Sequence, residues 1–173
     1  MKYYALHLIN SVGAPREERY DPPVLKIEPG EPWARARKAT NLAADGRCGE
    51  AQSEITHAQQ ITPDTNFRMI PFVGTVYWRC GERGRARALL NAMKRRPDVR
   101  DHGYRAAILH TLFGEKDSAF VWLQHERWTM GELSGLSGDP WLDPLRSDPR
   151  YAQLLQRIGI RGSSAAKDDL PNR

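Results

Sequence analysis

Gly46-Arg47-Cys48-Gly49-Glu50-Ala51, Gly81-Glu82-Arg83-Gly84-Arg85-Ala86 and Gly114-Glu115-Lys116-Asp117-Ser118-Ala119 are three copies of one pattern. Each opens on glycine and closes on alanine, and the alanines lie 35 and 33 residues apart. Twelve residues before each alanine stands another small residue, Ala39, Gly74 and Ala107. Four residues after each stands an aliphatic one, Ile55, Leu90 and Leu123. A proline closes two of the copies, Pro63 and Pro97. The pattern predicts two antiparallel helices per copy. Small residues facing each other let the backbones approach, and aliphatic side chains fill the space around them. Glycine ends the first helix in a left-handed turn, and proline stops the second.

The repeat length and the small–small–proline signature resemble the tetratricopeptide (TPR) family. The resemblance covers about 95 of the 173 residues. It implies an all-α fold, a right-handed superhelical stack of three helix hairpins, at about 33–65, 66–98 and 100–130. Four residues depart from the family pattern. Arg35 and Gly103 stand where a large apolar residue is usual, Glu126 replaces a small one, and Pro71 falls within a first helix. That proline is expected to kink its helix or delay its start.

The flanks read differently. Residues 1–32 hold Pro15, Pro22, Pro23, Pro29 and Pro32 and are expected to be irregular. Within them, residues 24–29 read as the last turns of a degenerate half-repeat. Residues 131–138 are rich in glycine and serine and read as a loop. Ser147 or Asp148 then caps a helix that has Pro149 in its first turn and ends near Gly159. With that loop, the helix makes a C-terminal cap over residues 131–160. The segment Leu142-Asp143-Pro144-Leu145-Arg146-Ser147-Asp148-Pro149-Arg150 resembles the closing stretch of C-terminal TPR arrays in bacterial signalling and regulatory proteins. Residues 161–173 are polar and expected to be disordered.

Charge and composition narrow the function classes. The formal net charge is +5, which favours an acidic partner, nucleic acid or an anionic membrane surface and says nothing about fold. Nothing in the sequence approaches the ~20 apolar residues that span a bilayer, and the apolar run near Met1 is too short and broken for a signal peptide. Cys48 and Cys80 have no CxxC spacing and fall within expected helices. They read as small buried hydrophobes, which points to a reducing cytoplasm.

The family resemblance implies a protein–protein interaction scaffold holding a peptide segment of a partner in a concave groove. The groove positions carried over from it are Trp33, Ala36 and Thr40, then Arg68, Pro71, Thr75, Trp78 and Arg79, then Asp101, Tyr104, Arg105 and Ile108. Trp33, Arg68, Trp78, Arg79, Tyr104 and Arg105 have the chemistry of interface anchors; Trp33 and Trp78 equally suit packing between repeats. The carboxylate clamp that some TPR domains use is not expected. Its positions carry Ala36, Thr40, Phe72, Asp101 and Arg105, which are not a converging set of donors.

A second candidate surface is basic. Residues 79–105 carry nine Lys/Arg against three Asp/Glu. Arg83, Arg85, Arg87, Lys94, Arg95 and Arg96 lie on or beside one expected helix, either as a solvated face or as a nucleic-acid contact. Catalysis finds no support. His7, His57, His102, His110 and His125 show no metal-ligand spacing, and His110 stands where the repeat usually packs an aromatic. Asp139, Asp143 and Asp148 adjoin prolines and read as caps and turns. No enzyme, cofactor or metal site is expected.

Overall fold

The computed structural model describes residues 23–62, 68–124 and 128–160. The expectations for residues 1–22, including His7, and for His125, Glu126 and the tail 161–173 lie outside them. The described residues are helical, with no strand among them. The chain divides between Arg96 and Pro97 into two compact units.

Among the described residues, the first unit opens with a short helix α1, Pro23–Ile27, where the half-repeat is expected. It continues as α2 (Pro32–Ala44), α3 (Cys48–Ile61), α4 (Ile70–Arg79) and α5 (Arg83–Lys94). Helix α2 pairs with α3, α4 pairs with α5, and α4 also packs on α2 and α3. Glu31 caps α2 by accepting the Ala34 amide at 2.6 Å. Pro71 occupies the first turn of α4, where its missing amide hydrogen costs nothing. The proline thus delays the start of α4, and no kink is needed.

The spaced small residues lie where the backbones approach. Ala39 on α2, Ala51 on α3, Gly74 on α4 and Ala86 on α5 are all buried. Ile55, Leu42, Met69, Val73 and Val76 fill the core around them. Gly46, Gly81 and Gly114, aligned at the head of the pattern, have φ of +75°, +83° and +79°. A side chain is disfavoured there, so glycine at this position is a conformational requirement. Arg35 works differently from the apolar residue of the family pattern. Its guanidinium reaches Glu54 on α3 and the Pro29 carbonyl, each at 2.7 Å. Lys38 also meets Glu54, at 3.0 Å.

The second unit starts with a 3₁₀ turn at Val99–His102 and continues as α6 (Gly103–Leu112) and α7 (Lys116–Gln124). Helix α8 (Met130–Gly138) follows, then a 3₁₀ turn at Pro140–Leu142, α9 (Asp143–Arg146) and α10 (Pro149–Arg157). Helix α6 packs on α7, and α10 also meets α7. Ala107, Ile108, Ala119, Phe120 and Leu123 share a core with Leu136, Leu142, Leu145, Tyr151 and Leu154.

The loop expected over residues 131–138 is corrected: the segment is helix α8. Its glycines and serines are tolerated because the ends are well secured. The Thr129 hydroxyl accepts the Glu132 amide while the Glu132 carboxylate accepts the Thr129 amide, a reciprocal capping box. Leu136 anchors the helix in the core. Asp148 caps α10 with Pro149 in its first turn, and Gly159 follows the helix with φ +76°.

The cysteines are a second correction. Cys48 and Cys80 form a disulfide, with Cα atoms 5.5 Å apart. Cys48 is the first residue of α3, and Cys80 follows the last residue of α4. Neither is a buried free thiol, and the inference of a reducing compartment loses its basis. Among the described residues, no helix is long and apolar enough to cross a membrane.

Candidate functional site: a basic–aromatic face

The two groups of candidate residues meet on the first unit. Trp78 and Tyr77 lie in the last turn of α4, and the left-handed Gly81 turns the chain directly into α5. Helix α5 buries Ala86, Leu90 and Met93 on one stripe. Arg83, Arg87 and Lys94 fall on an adjacent stripe at i, i+4 and i+11. The Arg83 guanidinium lies over the Trp78 ring at 4.9 Å and that of Arg87 at 6.0 Å. Trp78 is half-buried, so its ring is neither sealed in the core nor fully solvated. Arg79 is exposed at the end of α4, and Lys94 and Arg95 are exposed at the far end of α5, next to the half-buried Arg96.

Arg85 points to the other flank of α5. It stacks over Tyr77 at 4.1 Å and donates to the Tyr77 hydroxyl at 2.8 Å. It also donates to the Glu82 carboxylate at 2.5 Å. The bond to Glu82 raises the Arg85 pKa, with Tyr77 adding to it. Glu82 in turn accepts from the Gln52 side-chain amide on α3. The disulfide and the Gln52–Glu82 bond therefore hold the α4–α5 turn to the start of α3 at two points.

Stacking engages the face of a guanidinium, whereas carboxylates are recognised along its N–H edge. An arginine on a tryptophan ring is thus held in orientation by a contact worth about 0.5–1 kcal/mol at an exposed site. Charge-assisted hydrogen bonds to a ligand carboxylate are at least as strong. The Trp78 face can therefore keep its arginines ordered and still engage an anion.

The other groove positions have different settings. Trp33 is half-buried, with its ring tilted against Phe72 at 6.3 Å. Arg37 lies over that Phe72 ring at 5.9 Å. Arg68 is exposed. Tyr104 is corrected from a surface contact to a core residue, since only 6% of it is accessible. Its hydroxyl donates to Asp139 at 2.9 Å, and its ring meets Trp128 edge-on at 6.4 Å. Burial and the neighbouring Asp139 push its pKa well up. Arg105 is likewise drawn inward. Its side chain is 13% exposed and pairs with Glu132, which is itself 5% exposed. Burial alone would raise the Glu132 pKa, but the Thr129 hydrogen bonds and Arg105 outweigh it and bring it below the usual value. Sequence spacing placed Tyr104 and Arg105 on a helix face but could not reveal α8 beside them.

At the clamp positions, Ala36 is buried, Thr40 donates to its own helix at the Arg37 carbonyl, and Phe72 packs on Trp33. The described histidines, His57, His102 and His110, stand in separate settings. His110 is buried with Nδ1 2.6 Å from Glu115. Burial lowers the pKa of His102, with Arg105 adding to the effect. His57 borders a shallow depression of about 370 Å³ on α3, with Gln52, Ser53, Thr56 and Gln60. Among the described residues, no cluster of His, Cys, Asp and Glu is suited to a metal ion. The aspartates hold turns: Asp139 caps the Trp141 amide, Asp143 pairs with Arg146, and Asp148 caps α10. Arg150 beside Asp148 lowers that carboxyl to about 2.

Sequence reading missed the disulfide, although a usable signal was present. Cys48 and Cys80 flank the glycine turns of consecutive repeats and lie 32 residues apart, nearly one repeat length. In stacked hairpins such turns fall along one edge. Comparison of the chain with protein-family models, with curated proteins and with solved structures returns no match.

Proposed function

We propose that this chain is a TPR-type interaction module, not an enzyme, and that it binds an acidic peptide segment of a partner protein across the Trp78 face. The reading rests on one observation above the others: Arg83 and Arg87 both stand over the Trp78 ring. Trp and Arg are the residue types that most often dominate interfaces. The groove position Trp78 supplies the apolar contact, and Arg79, Arg83 and Arg87 supply charge. From Arg83 to Lys94 the basic stripe runs about 16 Å along α5 at 1.5 Å per residue. An extended peptide of about five residues matches that length.

Nucleic acid is the competing polyanion for the same face. The disulfide favours protein, because disulfides form mainly outside the reducing cytosol and nucleus, where nucleic acid is concentrated. Fluorescence anisotropy with labelled octaglutamate tests the reading. The wild-type chain should bind the peptide, with affinity falling as salt rises. The R83E/R87E variant should bind at least about tenfold more weakly, because two attractive charges become repulsive. Equal binding by the variant would refute the assignment. Tighter binding of oligothymidylate than of octaglutamate would assign the face to nucleic acid instead.

A further inference from the structure

We propose that the Cys48–Cys80 disulfide is a thiol-exchange site that controls the basic–aromatic face, so that the chain binds its acidic partner tightly when oxidised and weakly when reduced. The inference rests on the reading of that face given above and adds its regulation.

Position carries the argument. Cys80 stands two residues after Trp78 and three before Arg83, in the turn that sets the register between them. That turn is tied to α3 by the disulfide and by the Gln52–Glu82 hydrogen bond, one helical turn further along. Glu82 is also the residue that positions Arg85 against Tyr77. The covalent link therefore acts where α4 hands its aromatic residues to the arginines of α5. Cutting it leaves the turn joined to the start of α3 by one side-chain hydrogen bond and by the packing of Tyr77, Cys80 and Leu89 on the core. Such a bond contributes little net stability, so the turn gains freedom to open locally.

Access and chemistry favour exchange. Both cysteines are only half-buried. Cys48 is the first residue of the 14-residue helix α3, whose amino terminus stabilises a thiolate. A dithiol reductant attacks Cys80 Sγ, the S–S bond breaks, and its electron pair leaves on Cys48 Sγ. The second thiol of the reductant then displaces Cys80, and the reductant departs as a disulfide. Two electrons and two protons pass to the chain, which ends as two thiols. The arginines then sample more orientations, and binding must re-order them. The expected cost is about a tenfold loss of affinity.

The test compares the full oxidised chain, the chain reduced with dithiothreitol, and the C48S/C80S variant. Alkylation and mass measurement count thiols, octaglutamate anisotropy gives affinity, and amide exchange reports order over residues 77–87. The proposal expects no thiols before reduction and two after. It expects roughly tenfold weaker binding by the reduced and variant chains, and faster exchange across 77–87. Equal affinity and equal exchange in both redox states would overturn it while leaving the binding face intact. If no form binds octaglutamate, the reading of the face fails, and exchange alone decides whether the disulfide orders the turn. Should the variant lose its helical circular dichroism, stepwise reduction of the wild-type chain provides the same comparison, and an affinity that does not follow thiol content overturns the proposal.

Discussion

Reducing the Cys48–Cys80 bond should destabilise the first unit by an amount that follows from the chain it encloses. The cross-linked residues are 32 apart. A closed loop of that size removes about 12.4 cal/mol/K of entropy from the unfolded chain, or about 3.7 kcal/mol at 25 °C. The folded state keeps its apolar core, since Leu42, Ile55, Val73 and Val76 do not depend on the bond. Reduction should therefore lower stability without abolishing helix. Urea unfolding followed by circular dichroism at 222 nm, with and without reductant, measures the difference. For a slope of about 1–1.5 kcal/mol/M, as in small domains, the midpoint should fall by about 2–4 M. C48S/C80S should match the reduced wild type, since both lack the constraint. Midpoints that agree within about 0.3 M would refute the reasoning: either the bond is absent in solution or the unfolded chain is already constrained there.

Two further predictions concern the second unit. An ideal Cβ on Gly135 would lie 2.4 Å from the Tyr104 hydroxyl oxygen and 3.0 Å from Cζ. Tyr104 is buried and bonded to Asp139, so its ring has no easy retreat. Overpacking of about 1–3 kcal/mol should exceed the helix-propensity gain of about 1 kcal/mol, and G135A should lower the melting temperature. The Y104F background should relieve much of the loss, and a strictly additive double-mutant cycle would disprove the contact. The Asp148 carboxyl, lowered to about 2 by Arg150, bears on acid stability. Its folded pKa lies below its unfolded one, so its stabilisation is present above about pH 4 and lost as pH falls through 2. Carboxyl carbon chemical shifts should place its midpoint near 2, and D148N should flatten that part of the stability profile. A midpoint near 4 would remove the Arg150 pairing.

The all-helical fold and the positions of its close contacts were legible in the sequence because they depend on local rules. Small residues twelve apart, an aliphatic residue four further on and a glycine at each turn are short-range requirements of packed helices. Ala39, Ala51, Gly74 and Ala86 occupy the buried places that this spacing demands. The cap at Asp148–Pro149 was legible for the same reason, since a helix start is written in two or three adjacent residues. Helix α8 was not, because its glycines and serines have weak helical preference and its stability comes from a capping box and from burying Leu136. That docking in turn decided the fate of Tyr104 and Arg105.

What the sequence by itself determined was the all-helical fold with its glycine turns, because hydrogen bonding and packing at a spacing of three or four residues are local. Only tertiary structure decided which side chains meet across turns and between helices. It joined Cys48 to Cys80, set Arg83 and Arg87 over Trp78, and brought Gly135 of α8 against Tyr104. Such contacts depend on which turns and faces adjoin once the helices pack. The basic cluster was visible as charge along the chain, but as a surface with an aromatic floor it exists only in the folded hairpin.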